Sequence, residues 1–500
     1  KRNNIKMGIE HYPNDRALIA FDLTYIEHEG TDTSITHTST TEYDYINFIP
    51  PATENLERIS IENEEGQDLN YGFGYFIDNK EENKSFSIEF DYDDHNDKES
   101  ISGYTDQEIE DNGVDKIFTM DYSAPISNGL GKDSKYEVGL KWDKGDDMHK
   151  STVEGENFEW NYDDQISALY FNTSYYFTDS FGMQFGARFE DQAKHSMISY
   201  NEVSCSSEDY STEETCNANG FCEWNDGVCE ENLFKFLLND LGNGDVPYEH
   251  TRIYPSLYFM YETQGGGNLK FEFGRRINRP WHRALNPFPD VSSEEFIHQG
   301  NPYLEPEDIY KWEISYSNMI PSIGFINVTV FSSEITNQID RHKFASDDNY
   351  PPILTWVNKS KVDGKGLEFQ IMTRPIPKCD LMIWGTYWYN NTTEADDETM
   401  LGEESGLYAH IMSKFKLENN QEVQLSGGFS SPMKINNGEI SPMYSLDVAY
   451  KKDISDKFNV TLTVKDVFDT RNFHIVTNNV LDDGINEYLE ADHRRNQRNF

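Results

Sequence analysis

The most informative absence from this sequence is a long apolar run. None of its 500 residues belongs to an apolar stretch of about 18, so no transmembrane helix is available. The chain begins Lys1-Arg2-Asn3-Asn4, without the apolar core of a signal peptide. If the protein is exported, we therefore expect a further segment to precede Lys1.

Positive charge is also scarce. The chain has 42 Lys plus Arg against 89 Asp plus Glu, a net charge of -47, which repels polyanions and excludes nucleic acid as a partner. Only 36% of the residues are hydrophobic, yet 14% are aromatic, whereas disordered acidic chains are poor in aromatic residues. The composition therefore indicates an ordered protein.

Motifs for catalysis are missing as well. The sequence has no Gly-x-Ser-x-Gly, His-Glu-x-x-His or phosphate-binding glycine loop, and among 89 acids carboxylate pairs occur by chance. We therefore expect no enzyme activity and no cofactor. Acidic segments such as 143–147, 394–404 and 482–484 could hold calcium, but none has the full spacing of a calcium loop, so a solvated surface is the alternative and any metal stays unknown.

The dominant pattern that is present is alternation with period two, which predicts strands with one apolar and one polar face. It recurs from residues 19–25 to residues 458–464. In residues 181–190 the polar face carries Arg188 and Glu190, which a dry sandwich core would not accept. The pattern favours an all-β barrel with lipid outside and water inside.

The connections between these strands alternate in length. Short turns are expected at 13–15, 78–84, 178–180, 263–268, 318–322, 374–379, 418–421 and 452–456. Long acidic segments are expected at 28–68, 93–114, 143–163, 191–249, 274–310, 333–362, 390–405 and 466–495. This alternation is typical of outer-membrane barrels, which have short periplasmic turns and long extracellular loops.

The spacing of the strands predicts a large antiparallel transmembrane β-barrel. We count about eighteen complete strands of roughly ten residues, and a nineteenth begins near Gln497. We expect residues 1–500 to form one barrel domain that is truncated at both ends, with a cysteine-containing extracellular insertion at 192–248.

Four cysteines lie within that insertion, namely Cys205, Cys216, Cys222 and Cys229. We expect two disulfides, because an extracellular loop without a core needs covalent staples in an oxidising compartment. Three pairings are possible, and Trp224 is expected to pack on them. A zinc site is the alternative, although the spacing fits it poorly. Cys379 is left unpaired in a predicted periplasmic turn.

A basic and aromatic cluster stands out in the acidic chain: Arg275, Arg276, Arg279, Trp281, His282 and Arg283. It could form a binding surface for an anionic or chelated ligand near the barrel mouth. In the alternative interpretation, these cations neutralise acidic residues of the wall or contact lipid headgroups.

Eight ordered motifs then support a family resemblance. They are residues 166–171, Tyr254-Pro-Ser-Leu-Tyr258, Gly274-Arg-Arg-Ile-Asn-Arg-Pro280, Leu285-Asn-Pro-Phe288, 300–307 (Gly-Asn-Pro-Tyr-Leu-Glu-Pro-Glu), 364–369, Tyr444-Ser-Leu-Asp447 and 466–473. From about residue 165 the chain resembles the outer-membrane β-barrels of TonB-dependent receptors, in the form common among Bacteroidota. The resemblance implies a 22-stranded barrel, of which about 19 strands are present, without its plug and energy-coupling box.

That resemblance implies uptake of a scarce solute, such as a siderophore, glycan or peptide, across the outer membrane of a Gram-negative bacterium. Its expected partners are outer-membrane lipid, the solute, and a TonB-type energy-coupling complex that acts through the plug. A passive porin or surface-binding barrel is one alternative. A secreted acidic β-rich binding module is another, and it predicts solubility without detergent, whereas a barrel predicts heat-modifiable migration on a gel.

Overall fold

The computed structural model describes the backbone of most of the chain. The ranges outside the description are 45–48, 103–106, 127–133, 154–155, 201–221, 226–227, 232–243, 290–296, 345–352, 395–399, 436–437, 456–457, 481–485 and 495–500.

Nearly all described residues lie in strands. In chain order the strands are β1 (Arg2–Asn14), β2 (Ala17–Asp44), β3 (Ile49–Asn79), β4 (Lys84–Ser102), β5 (Gln107–Pro125), β6 (Lys135–Val153), β7 (Glu156–Thr178), β8 (Phe181–Tyr200), β9 (Cys222–Asn225), β10 (Val228–Glu231), β11 (Gly244–Glu262), β12 (Asn268–Asn278), β13 (Ile297–His298), β14 (Glu307–Ile320), β15 (Gly324–Phe344), β16 (Ile353–Ile376), β17 (Cys379–Glu394), β18 (Met400–Leu417), β19 (Gln421–Ser430), β20 (Met433–Ile435), β21 (Gly438–Ile440), β22 (Met443–Ser455), β23 (Phe458–Val464), β24 (Asn472–Val480) and β25 (Asn486–Arg494). One short helix, α1 (His282–Leu285), precedes β13. No helix in the described part of the chain is long and apolar enough to cross a bilayer.

The wall of the barrel is an antiparallel meander. Within the described residues, eighteen strands pair in chain order from β1 to β23, which leaves out only the short β9, β10, β13, β20 and β21 and the pair β24 and β25. The short β13 joins the same sheet by pairing parallel to β16. The eighteen complete strands expected from the sequence are confirmed, while the start of a nineteenth near Gln497 lies outside the described residues.

Most wall strands are longer than the roughly ten residues expected, although β19 has 10 residues and β23 has 7. The predicted short turns are confirmed, for example Asp179–Ser180 between β7 and β8. The predicted long segments, however, are largely the outer ends of paired strands: β2 and β3 have 28 and 31 residues and pair nearly to their tips. Ladder pairing satisfies the backbone N–H and C=O groups of these segments, which a loop would leave to water.

The two faces of the wall differ as the alternation predicts. On β8, Glu190 is only 5% exposed on the inner face, whereas its neighbour Phe189 is 47% exposed on the outer face. Phe189 lies beside Leu169 of β7 and Ile253 of β11, which are also exposed. A continuous exposed apolar surface of this kind needs a nonaqueous neighbour. On β8 this apolar belt runs from Phe181 to Phe189, and we take it as the membrane-spanning part of that strand.

Two of the sequence motifs meet where the chain leaves the wall after β23. Asp466, in the left-handed region at φ 47°, accepts backbone N–H bonds from Thr470 and Arg471 at 3.1 and 3.0 Å. Its own N–H donates to the Asp447 carboxylate at 2.7 Å, and the Thr470 hydroxyl donates to Tyr444 O at 2.7 Å. This turn directs β24 and β25 towards β21, with which they form a four-stranded sheet that includes β20.

The cysteine insertion is only partly described. Of the range 192–248, residues 192–200 and 244–248 continue β8 and β11, and β9 and β10 form a hairpin between them. Cys205 and Cys216 lie outside the described residues, as do the side chains of Cys222 and Cys229, so the two disulfides stay a prediction. Cys379, at the start of β17, is 5% exposed and has no disulfide partner within the described residues.

The orientation of the wall can be tested at Phe185, which lies at the centre of the belt on β8 and is 39% exposed. A Phe185→Arg substitution should destabilise the protein in lipid vesicles and lower its free energy of unfolding by about 2–4 kcal/mol, because it places a charge at the bilayer midplane. The measurement is equilibrium unfolding in denaturant. The inward-facing neighbour provides the control: Gln184→Arg should cost much less, and equal losses would contradict the assigned orientation.

Candidate functional site

A segment of the chain folds into the barrel between β12 and β14. We call residues 279–306 the luminal loop. It leaves the wall after Asn278 and returns to it at Glu307. Part of it, 290–296, lies outside the described residues.

The entry of the loop follows from a split in the wall. Pairing between β11 and β12 ends at Ser256 and Gly274, although β11 continues to pair with β8 as far as Gly244. Pro255, which cannot donate a backbone hydrogen bond, occupies the first unpaired position of β11. Arg252 from β11 and Arg275 from β12 both bind the Asp308 carboxylate, Arg275 at 3.0 Å, so they tie the split edges together.

The luminal loop has a small core of its own. Its most buried apolar residues are at most 6% exposed: Ala284, Leu285, Pro287, Phe288, Ile297, Pro302 and Leu304. Backbone bonds hold its two arms together, from Gly300 N to Asn286 O at 2.8 Å and from Asn301 N to Ala284 O at 2.7 Å. A barrel wall one strand thick cannot bury side chains this deeply by itself, so the loop supplies the interior packing.

One side of the loop packs on the inner face of β6, β7 and β8. The His282 ring lies 4.7 Å from Trp160, and the Phe288 ring lies 5.4 Å from Phe158. The Lys194 ammonium of β8 donates to Leu304 O at 3.1 Å. Trp160 is fully buried and donates to the Ser196 hydroxyl at 2.6 Å, which fixes the wall under the loop.

The other side of the loop binds the neighbouring part of β16. β13 pairs with Ile353 and Leu354, and Gln299 N donates to Leu354 O at 3.0 Å. The Asn301 amide donates to Trp356 O at 3.0 Å. Asn358 exchanges two hydrogen bonds with the backbone of Glu305, at 2.8 and 2.9 Å. The loop therefore connects β6–β8 with β16.

Four of the sequence motifs converge on this one substructure. Residues 254–258 and 274–280 form the split, while 285–288 and 300–307 form the arms of the luminal loop. The motifs that carried the family resemblance thus specify how the loop enters the barrel and docks there.

The predicted basic cluster is divided by the structure. Arg275 binds Asp308, and Arg279 binds Glu190 at 2.5 Å and Gln192 at 3.1 Å, so both guanidinium groups contact wall residues. The His282 ring contacts the Trp160 ring at an interplanar angle of 44°, yet His282 is exposed to solvent.

The remaining members of the cluster face solvent. Arg276 lies 3.5 Å from Glu272 and its side chain is 69% exposed. Trp281 is 49% exposed and meets the Trp356 ring edge-on at 5.8 Å, and Arg283 is also exposed. All three side chains are exposed, so a ligand in the lumen could reach them.

Sequence reasoning missed a second polar group, on the inner face of β8 and β11. Lys194 is 4% exposed and lies 5.1 Å from the Tyr248 ring centroid. Burial lowers the pKa of Lys194 to about 8, and Asp164 and Glu305 partly oppose this effect. Burial, with Arg252, Arg275 and Arg279, lowers the pKa of the nearby His250 to about 4. The available signal was the alternation itself, which places Lys194 on the same face as Arg188 and Glu190.

Negative charge dominates the inner face of β2 to β6. There a histidine and an aspartate on two flanking strands meet above a glycine on the strand between them. The two examples are His28, Gly66 and Asp97, and His95, Gly113 and Asp147. A Cβ at either glycine would collide with both side chains. Burial, with the nearby Asp115 carboxylate, raises the pKa of Asp147 to about 6.

No group of three or more His, Cys, Asp or Glu side chains within the described residues is arranged to hold a metal ion. The acidic segments 143–147, 394–404 and 482–484 therefore gain no support as calcium sites where they are described, and 395–399 and 482–484 lie outside the description.

The wall, its apolar outer belt and the loop inside it define an outer-membrane β-barrel of a Gram-negative bacterium. Residues 232–498, just over half of the chain, match the model of the outer membrane protein beta-barrel family, and the chain belongs to this family. No curated protein is significantly similar to the chain in sequence.

Solved structures with the same fold are receptors and transporters. The chain is similar to the copper transporter OprC, with 8% identity and a TM-score of 0.59 over 98% of this chain and 70% of that one. It is also similar to the ferric yersiniabactin uptake receptor FyuA from Yersinia pestis (10% identity, 94% and 73% covered, TM-score 0.57). A third similar structure is the Serratia marcescens hemophore receptor HasR, with 12% identity and a TM-score of 0.55 over 94% of this chain and 73% of that one. The barrel thus has the TonB-dependent receptor fold.

Docking of the luminal loop can be tested at Gly300. A Cβ there would lie 2.8 Å from Asn286 N, 2.9 Å from Ala284 O and closer still to Asn286 O. Because these are backbone atoms, Gly300→Ala should separate the two arms at a cost of about 1–3 kcal/mol. Hydrogen exchange of residues 282–304 should then accelerate by roughly 5- to 150-fold. Gly274→Ala is the matched control, since a Cβ at Gly274 meets nothing within 4 Å. Unchanged exchange in Gly300→Ala would show that the arms are not joined.

The raised pKa of Asp147 predicts a pH dependence of stability. Between its ordinary value of 3.8 and about 6, the folded state binds a proton that the unfolded state does not, so stability should rise as the pH falls through 6. Asp147→Asn should remove this component and stabilise the protein above pH 7 by on the order of 1–2 kcal/mol. Denaturant unfolding across pH 5–8 measures it. Asp179→Asn, in an exposed turn, controls for charge, and parallel pH profiles for wild type and Asp147→Asn would refute the assignment.

Proposed function

We propose that this barrel belongs to a TonB-dependent receptor that imports a scarce solute across the outer membrane. In this proposal, a plug and an inner-membrane energy complex open a path through the lumen. The barrel supplies the closed wall and the extracellular capture surface.

The observation that carries the proposal is the packed luminal loop. A passive porin of this size needs a continuous water-filled channel. In this barrel a segment with side chains as little as 1–2% exposed, such as Leu304 and Leu285, is packed inside the wall. Its hydrogen bonds to β8 and β16 hold it there. Such an obstruction favours gated entry of a captured solute over free diffusion.

The structural neighbours support metal complexes as the first solutes to test. The similar structures are described as a ferric yersiniabactin uptake receptor, a hemophore receptor with heme and a copper transporter. These likenesses support the fold, and the solute class is our extension of them. Glycans and peptides remain the other candidate classes.

Within the predicted basic cluster, we assign ligand contact to the exposed residues. Arg276, Trp281 and Arg283 present cations and an indole to the solvent-filled space. To Arg275, Arg279 and His282 we assign the supporting role of holding the loop against the wall, because each already contacts it.

The test is growth of the producing bacterium on defined solutes. Deletion of the gene should abolish growth when one ferric chelate, heme, glycan or peptide is the sole source of its nutrient, and the intact gene should restore it. Deletion of the energy-coupling complex should abolish uptake of the same solute to the same extent.

The alternatives predict different results. If the protein is a passive porin, uptake persists without the energy complex and shows no saturation with solute concentration. A surface-binding barrel would bind the solute at the cell surface yet leave growth unchanged when the gene is deleted. Either result would refute the proposal.

A further inference from the structure

Lys194 is the most unusual charge inside the barrel. Its side chain is 4% exposed, and within the described residues no carboxylate lies within salt-bridge distance of it. Its contacts are one backbone carbonyl, Leu304 O, and the ring of Tyr248. Asp164, its register partner on β7, and Glu305 act on it only beyond salt-bridge distance. A buried ammonium without a direct ion pair is unfavourable, so an anion in contact with it would complete its surroundings.

Three polar atoms on the inner face of β11, the strand that pairs with Lys194, have no partner. The hydroxyls of Tyr248 and Tyr254 and Nε2 of His250 are each buried without a hydrogen bond. All three side chains belong to the inner face of β11, and Tyr254 as a whole is only 8% exposed. Tyr248 and His250 stack with ring centroids 5.7 Å apart. Unpaired buried polar atoms are rare, and several together indicate an unfilled site.

The surrounding charges favour an anion at this place. Glu190 is bound by both Arg188 and Arg279, and Asp308 is bound by both Arg252 and Arg275. Each carboxylate is thus shared by two guanidinium groups, which leaves a positive surplus beside His250. Burial is the main cause of the low pKa of His250, and Arg252, Arg275 and Arg279 lower it further. Asp164, which accepts from Gln192, and the exposed Glu305 offset only part of it.

We propose that Lys194, Tyr248 and His250 form an oxyanion-binding site between β8, β11 and the luminal loop. Its ligand is a carboxylate or phosphate group, which accepts hydrogen bonds from the ammonium and the Tyr248 hydroxyl. The proposal rests on the proposed function and deepens it: the imported solute carries such an anionic group, and the site holds that group beneath the loop.

The experiment measures oxyanion binding to the purified full chain in detergent. Citrate and inorganic phosphate are titrated separately by calorimetry, with sodium chloride at matched ionic strength as the baseline. We expect saturable binding of at least one oxyanion and a rise in the melting temperature with its concentration. Lys194→Met should weaken binding at least tenfold. Lys378→Gln removes one positive charge from the exposed turn between β16 and β17, far from the luminal loop, and should leave binding unchanged.

A second variant, Tyr248→Phe, tests the site independently in case the Lys194 variant misfolds. It keeps the ring and removes only the unpaired hydroxyl, so binding should weaken several-fold with an unchanged melting temperature in chloride. Binding of citrate alone identifies a carboxylate ligand, and binding of phosphate alone identifies a phosphate ligand. If neither oxyanion binds saturably, or if both variants bind as wild type does, water fills the site and the proposal is wrong.

Failure of the oxyanion site is separable from failure of the proposed function, because the binding assay involves no transport. Oxyanion binding without energy-dependent uptake would support the oxyanion site and refute the proposed receptor function. Energy-dependent uptake without oxyanion binding would refute the site alone.

Discussion

The structure depends on one constraint: within a bilayer every backbone N–H and C=O group must find its partner inside the protein. A meander of long antiparallel strands meets that constraint, and it leaves each strand with one face towards lipid and one towards the lumen. Two consecutive residues of β8 show the two faces: Phe189 is exposed on the lipid side, and Glu190 is buried on the luminal side. The pairing continues beyond the apolar belt, so the extracellular ends are also ordered by the ladder.

The same constraint explains why the luminal loop is the densest part of the protein. A wall one strand thick has no interior of its own. Apolar side chains that do not face lipid can be buried only if a segment of chain enters the lumen, and Leu285, Ile297 and Leu304 are buried in this way. The entry requires a break in the ladder, and the break occurs next to Pro255, where Arg252 and Arg275 bind Asp308 across the opening.

Charge is distributed unevenly within this frame. The chain as a whole carries a net charge of -47, and on the inner face of β2 to β6 burial, with neighbouring aspartates, raises the pKa of Asp147. Between β8, β11 and the loop the balance reverses, because each of two carboxylates is shared by two arginines and Lys194 has no carboxylate at salt-bridge distance among the described residues. The lumen therefore offers an acidic and a basic side, and the loop lies against the basic one.

Periodicity by itself determined the wall, because side chains that alternate between lipid and water leave a signal at every second residue. The eighteen strands and the short turns were therefore predictable, and so was the presence of a motif-rich segment around Arg279. Contacts between distant segments decided the rest. The pairing of Arg279 with Glu190, the burial of Lys194 and the docking of Asn301 on β16 join residues 55 to 110 positions apart. No local pattern records such distances, and only the folded barrel brings them together.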